Sequence, residues 1–180
     1  MINTHNGVKE KGIKPININD YPAIKTHLDK YYASLERRQD KGDTPYNLRN
    51  CAYIEDFYKQ KIVWKAVGRN LAFALLEEGA FLAAPASFIT SNHNNYLLGF
   101  LHSRVGKYFI YNNSDTTGAG DIMLNIQSLV KFPVPKPNLY FEQQINKYLQ
   151  SKDYEAIDKL VYELYGLDKE EIEFIEEKKR

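Results

Sequence analysis

The side chains able to do chemistry in this 180-residue chain are mostly amides, hydroxyls and guanidinium groups set in turn-rich stretches. The run Asn112-Asn113-Ser114-Asp115-Thr116-Thr117-Gly118-Ala119-Gly120-Asp121 is the densest of them: its glycines let the backbone bend sharply, and its side chains offer both donors and acceptors. Gly68-Arg69-Asn70 and Ser91-Asn92-His93-Asn94-Asn95 are shorter stretches of the same kind. Groups for covalent or metal chemistry are sparse. His5, His27, His93 and His102 lie far apart without ligand spacing, and the single Cys51 completes neither a zinc set nor an intrachain disulfide. No lysine follows the glycines as a phosphate loop requires, no Asn-Pro-Pro-aromatic tetrad is present to hold a flipped base, and no glycine-rich cofactor loop follows a first strand. The nuclease-like spacings Glu176-x-Lys178 and Glu177-x-Lys179 sit in a charged terminal helix, where a solvated helix end explains them. These residue types point to recognition rather than catalysis.

Apolar spacing supplies the elements that must position those loops. Asn94 or Asn95 caps a helix with Leu97, Leu98, Leu101 and Val105 on its inner face. Residues 108–111 then read as a strand, 112–120 as a displayed loop, and Phe132-Pro133-Val134-Pro135-Lys136-Pro137 as an extended edge or exit segment that lacks ladder donors. Upstream, Ile13, Ile16 and Ile18 alternate like a short edge strand. Asp20 and Pro22 open a helix whose face is Ile24, Leu28, Tyr31, Tyr32 and Leu35 and which runs through Arg38. Strands are expected at 61–67, at 71–76 with both faces buried, at 81–83 and at 86–90. After Pro137 the pattern is helical: Phe141, Ile145, Tyr148 and Leu149 share one face, Ile157, Leu160, Val161 and Leu164 another, and Asp168 with Glu171 forms a capping-box start for a last helix. The expected fold is α+β, a small mixed or antiparallel sheet with packed helices over 1–138 and a helical C-terminal segment over 139–180.

Charge divides at the same place. Residues 1–138 hold 17 Lys and Arg against 12 Asp and Glu, and residues 139–180 hold 7 against 11, so a basic body precedes an acidic tail. The body's charge fits either phosphate contacts or ordinary solvated lysines. Arg38 and Lys41 lie at a helix C-terminal end, where they either balance the helix dipole or meet phosphates, and Arg49 either grips a phosphate or base edge or stacks on Tyr46. With 14 Tyr and 9 Phe the chain also suits an interface. No apolar run has the length of a signal or membrane segment, so a cytoplasmic setting without membrane contact is expected.

Two resemblances bear on function. Asp115 to Asp121 looks like the signature of ribokinase-type sugar kinases, which would make Asp121 a general base and residues 118–120 an anion hole at the start of a helix. That fold needs a longer chain and small residues after the aspartate, where Ile122, Met123 and Leu124 stand here. The wider match is carried by Asn6-Gly7, Tyr21-Pro22-Ala23-Ile24-Lys25-x-His27-Leu28, Arg38-x-Asp40-Lys41-Gly42-x-Thr44-Pro45-Tyr46-Asn47-Leu48-Arg49, Lys61-Ile62-Val63-Trp64, Tyr96-Leu97-Leu98-x-x-Leu101-x-Ser103, the proline segment and Glu142-Gln143-Gln144. In this order they resemble the TaqI-like C-terminal specificity domain, the target-recognition domain of fused type II restriction and adenine-methylating enzymes, and more distantly the specificity subunits of type I systems. A Val-Tyr-x-Leu-Tyr-Gly-Leu string like that at 161–167 often ends such enzymes.

The resemblance implies a C-terminal fragment of a bacterial enzyme that reads double-stranded DNA for methyltransferase and endonuclease domains of the same polypeptide. Those absent domains would use S-adenosyl-L-methionine and Mg2+, and this chain would hold no cofactor. Asn pairs with adenine and Arg with guanine through two hydrogen bonds. On that basis Arg69, Asn70, Asn112, Asn113, Ser114 and Thr116 are the candidate base readers, and Arg38, Lys41, Arg49, Lys65 and Lys107 the candidate phosphate contacts. A protein-interaction module is the alternative from another class.

Overall fold

A computed structural model describes residues 2–178, so Lys179 of the second Glu-x-Lys spacing lies outside the described residues. The chain divides into two units, 1–58 and 59–180.

In the first unit irregular backbone is held together by one buried amide. Asn47, 2 % exposed, donates from Nδ2 to the Ile16 and His5 carbonyls and accepts at Oδ1 from the Thr44 hydroxyl. Its own carbonyl accepts from the Gly42 amide and from Arg38 Nη2. A single side chain thereby satisfies backbone groups that no sheet reaches. The expected strand through Ile13, Ile16 and Ile18 is absent: Ile13 makes an isolated bridge to Val8, and Ile18 begins a 3-10 turn. The expected helix through Arg38 is two helices, α1 (Pro22–Asp29) and α2 (Tyr32–Arg37), broken at Lys30 and Tyr31. Neither has a buried residue, and Tyr21, Tyr31 and Tyr32 are exposed.

The second unit is built on β1 (Lys61–Lys65), where the alternation of Ile62 and Trp64 with Val63 and Lys65 gives a half-buried strand. It is the centre of an antiparallel sheet between β3 (Phe73–Leu76) and β4 (Ala86–Ile89), with Trp64 opposite Phe73 and Ser87. β3 is therefore an edge strand with Ala74 exposed, not a strand buried on both faces, and 81–83 forms no strand. β2 (Val67–Gly68) leaves this sheet to pair with β6 (Ile122–Met123), which also pairs with β5 (Asp115–Thr116), in a second antiparallel sheet of order β2-β6-β5. Trp64 joins the two sheets, since its indole Nε1 donates to the Leu124 carbonyl at 3.1 Å.

The helix expected after the Ser91 loop is α3 (Asn94–His102), with Leu98 and Leu101 buried and Leu97 half-buried. Its boundary residue is His93, and Asn94 spends its amide on the Ser91 N–H and the Gln60 carbonyl instead of capping. The expected strand at 108–111 is helical. Ser103, fully buried, caps a new helix α4 (Arg104–Asn113) by accepting from the Gly106 amide. A Cβ at Gly106 would lie 2.0 Å from the Phe100 carbonyl oxygen, so glycine permits the tight corner between the two helices. After the short α5 (Ile126–Leu129), the proline segment pairs with no strand, and the Val134 amide donates to the Phe132 carbonyl at 2.9 Å at its start. Tyr165 and Tyr96 hold it by donating to the Pro133 and Pro135 carbonyls, and burial pushes the Tyr165 phenol up to about 12.

The C-terminal helices fall where the spacing predicts: α6 (Leu139–Ser151), α7 (Tyr154–Tyr165) and α8 (Lys169–Glu177). Gly166 adopts φ +64° at the end of α7, and the Asp168–Glu171 capping box forms at the start of α8. Ile145, Ile157 and Val161 join Phe100 and Leu101 in one core, and α6 approaches α3 where Gly99 leaves room for Ile145. The fold is α+β, with small antiparallel sheets and a helical C-terminal segment. No helix of the described residues is long and apolar enough to cross a membrane.

Candidate nucleic-acid interface

The β2-β6-β5 sheet brings several of the candidate residues to one place. Gly68, Ile122 and Thr116 face one another in register, and one step further Arg69 meets Asp121, Nε to Oδ1 3.4 Å. Thr117 and Asp121 close the hairpin tip: the Thr117 amide donates to the Asp121 carbonyl at 2.8 Å, and the Asp121 amide to the Thr117 hydroxyl at 3.0 Å. Gly120 takes φ +81° inside this turn. The glycines thus sit at a hairpin tip and open no helix, which removes the anion hole a kinase reading needs, and Asp121 is engaged with Arg69.

Arg69 and Asn70 follow β2 directly and are exposed, the Arg69 side chain at 82 %. Because neighbouring positions on a strand point to opposite faces, Arg69 lies on the Met123 side of the sheet and Thr116 on the Ile122 side. Lys65, at the end of β1, is exposed two residues before β2. Asn112 and Asn113 lie in the last turn of α4 rather than in a free loop. Their Nδ2 groups donate to the Tyr108 and Phe109 carbonyls at 2.7 and 2.8 Å, which leaves each Oδ1 as an outward acceptor. Ser114 ends α4 with its hydroxyl oxygen buried and without a partner among the described residues.

The remaining candidates belong to the first unit. Arg38 is tied to the Asn47 carbonyl at 2.6 Å with Asp40 nearby, and Lys41 donates to the Glu36 carbonyl, both contacts that hold the end of α2. Arg49 is exposed. Tyr46, the ring it was expected to meet, packs on Tyr32 and donates to Asp29 at 2.6 Å.

A groove of about 660 Å³ lies between α4 and the end of α8. Arg104, Lys107, Tyr108, Tyr111 and Asn112 form its α4 wall, and Ile175, Glu176 and Lys178 face them. Arg104 is held from behind, Nε to Asp158 Oδ2 3.3 Å and Nη1 to Glu176 Oε1 2.8 Å, while its backbone amide donates to Asp158 Oδ1 at 2.7 Å. Burial raises the Asp158 carboxyl above its usual range, against the pull of Arg104. Of this wall only Lys107 and Asn112 stood out in the sequence. Reading 108–111 as a strand hid the i, i+3, i+4, i+7, i+8 spacing that puts Arg104, Tyr108 and Tyr111 beside them. Among the described residues, no group of three or more His, Cys, Asp or Glu could hold a metal ion.

No family model matches the chain. It is 25 % identical over 173 residues to the type II methyltransferase M.BstVI of Geobacillus stearothermophilus. The aligned part is 90 % of this chain and 30 % of that protein, so the chain spans under a third of the relative's length.

Proposed function

We propose that the chain is the DNA-reading portion of a larger bacterial type II restriction–modification methyltransferase. The similarity to M.BstVI carries this reading, because it runs along nearly the whole chain yet accounts for only 30 % of the relative. In this reading the end of the β2-β6-β5 sheet and the last turn of α4 approach base edges, with Arg69, Asn70, Asn112, Asn113 and Thr116 as readers. Lys65, Lys107 and Arg49, all exposed, take phosphates. Arg38, Lys41 and Ser114 support the framework more than they face a ligand, since each is turned into local backbone or buried. S-adenosyl-L-methionine and Mg2+ serve the parent's methyltransferase and endonuclease domains, and no cofactor is held by this chain.

Exposed Tyr21 before α1, Tyr31 between the helices and Tyr32 at the start of α2 favour a second role, docking those parent domains. A salt titration of binding to random-sequence duplex DNA tests the main reading. Three phosphate contacts give a slope of log K against log salt of about −2.7. Absence of binding at low salt, or a slope near zero, would overturn it.

A further inference from the structure

Besides Lys107 and Asn112, the groove between α4 and α8 gathers Arg104, Tyr108, Tyr111 and Lys178, which duplex reading does not use. Its one lining carboxylate among the described residues, Glu176, lies 2.8 Å from Arg104 Nη1, and Asp158, outside the lining, lies 3.3 Å from Arg104 Nε. The Lys107 side chain is exposed and makes no hydrogen bond and no close ion pair among the described residues, with Asp158 acting on its charge only at longer range. The Lys178 ammonium sits over the Phe174 ring at 4.9 Å, which fixes its place without neutralising it. Arg104 and the two ammonium groups therefore leave the groove with a net positive charge. Between these cations lie Tyr108 and Tyr111, half-buried and one helical turn apart on α4, with Tyr108 steadied by the edge of Phe174. Asn112, its Nδ2 already committed to the Tyr108 carbonyl, offers an acceptor at the end of the same stripe. The volume of about 660 Å³ is that of a small-molecule site.

From this arrangement we infer that the groove binds a nucleoside phosphate unit, with the phosphate on Lys107 and Lys178 and the base against Tyr108 and Tyr111. A phosphate needs unneutralised cations, a base needs a ring to lie on, and both occur here within one groove. The source is either an unstacked nucleotide of a DNA strand or a free nucleotide. The inference stands on the groove alone and survives failure of the duplex-reading function.

The test is a titration of the isotope-labelled 180-residue chain with short oligo(dT), with AMP and with inorganic phosphate, read from backbone amide shifts. Shifts confined to 104–112 and 172–178 are expected with oligo(dT) or AMP. Binding of oligo(dT) alone assigns a strand, and binding of AMP assigns the single nucleotide unit. Lys107→Ala should lower the salt slope for oligo(dT) by about 0.7. Tyr111→Leu should weaken binding about tenfold, whereas Tyr111→Phe, which keeps the ring, should not. Lys107 is exposed, so its variant folds whatever Tyr111→Leu does. Shifts elsewhere, response to inorganic phosphate alone, no response at all, or a Lys107→Ala variant indistinguishable from wild type would overturn the inference.

Discussion

Replacing Trp64 by Phe should loosen the hairpin that presents Arg69 and Thr116 more than it loosens the sheet to which Trp64 belongs. The indole is 3 % exposed and its Nε1 holds the carbonyl of Leu124, itself 1 % exposed, at 3.1 Å. The Leu124 amide in turn donates to the Ala66 carbonyl at 2.8 Å, so this residue is the clasp between β6 and the turn from β1 to β2. Phe leaves the Leu124 carbonyl buried without its donor, which costs about 1–3 kcal/mol. The smaller ring also leaves a gap beside Phe73, at about 1 kcal/mol more, giving a total of about 2–4 kcal/mol. Urea unfolding followed by far-UV circular dichroism measures the loss. Native-state hydrogen exchange then locates it, with the Thr117 and Leu124 amides losing protection while the Val63 amide keeps most of its own. A loss below about 0.5 kcal/mol, the scale of a neutral surface change, would contradict this role of the indole, as would equal deprotection of Val63.

Asn47→Ala should cost the first unit about 2–3 kcal/mol, because the Ile16 and His5 carbonyls lose their donor. In a two-dimensional NMR spectrum the amides of 2–58 should lose dispersion while those of 59–178 keep theirs. At Gly99 a Cβ would lie 2.5 Å from Ile145 Cγ2, so Gly99→Ala should destabilise by about 1–3 kcal/mol, and adding Ile145→Val should recover part of the loss in urea unfolding. Burial raises the Asp158 carboxyl above 3.8, against Arg104 and Lys107 and with Glu176 adding to the rise. The folded state therefore holds this proton more tightly than the unfolded one, and the group's contribution is fullest below the ordinary carboxylate pKa and declines as pH rises through the raised value. Relative to Asp158→Asn, wild-type stability should fall as pH climbs from about 4 toward neutrality. A pH-independent difference between the two would contradict the burial argument.

Sequence patterns were most informative where one physical signal acted alone. The C-terminal helices, the Asp168–Glu171 box and the alternation of Ile62 and Trp64 all depend on period and capping within a single element. Misreadings arose where a tertiary contact decides. Tyr108-Phe109-Ile110-Tyr111 has the aromatic and β-branched content of a strand, yet Ser103 restarts the helix and Ile110 is drawn into the core, so packing overrides propensity. The stretch 71–76 is apolar throughout, but burial of a strand depends on what packs over each face, and in β3 Phe73 is buried while Ala74 is exposed. The same limit applied to the candidate site. Exposed Arg69 and Thr116 could be picked out as loop chemistry, but their shared sheet through β6, the engagement of Asp121 and the groove facing α8 depend on pairings distant in sequence. Asn47 was visible only as part of a turn, and its role in gathering the first unit emerged from three-dimensional contacts.

Whether the chain reads duplex sequence, as proposed, is decided by selection from a pool of randomised duplexes by the purified chain, followed by sequencing of what is retained. Enrichment of one short motif is expected, and a shift of that motif, at unchanged salt slope, when Arg69 or Asn113 is replaced by Ala. Retention of the pool without any enriched sequence, or a motif identical in wild type and both variants, would contradict it.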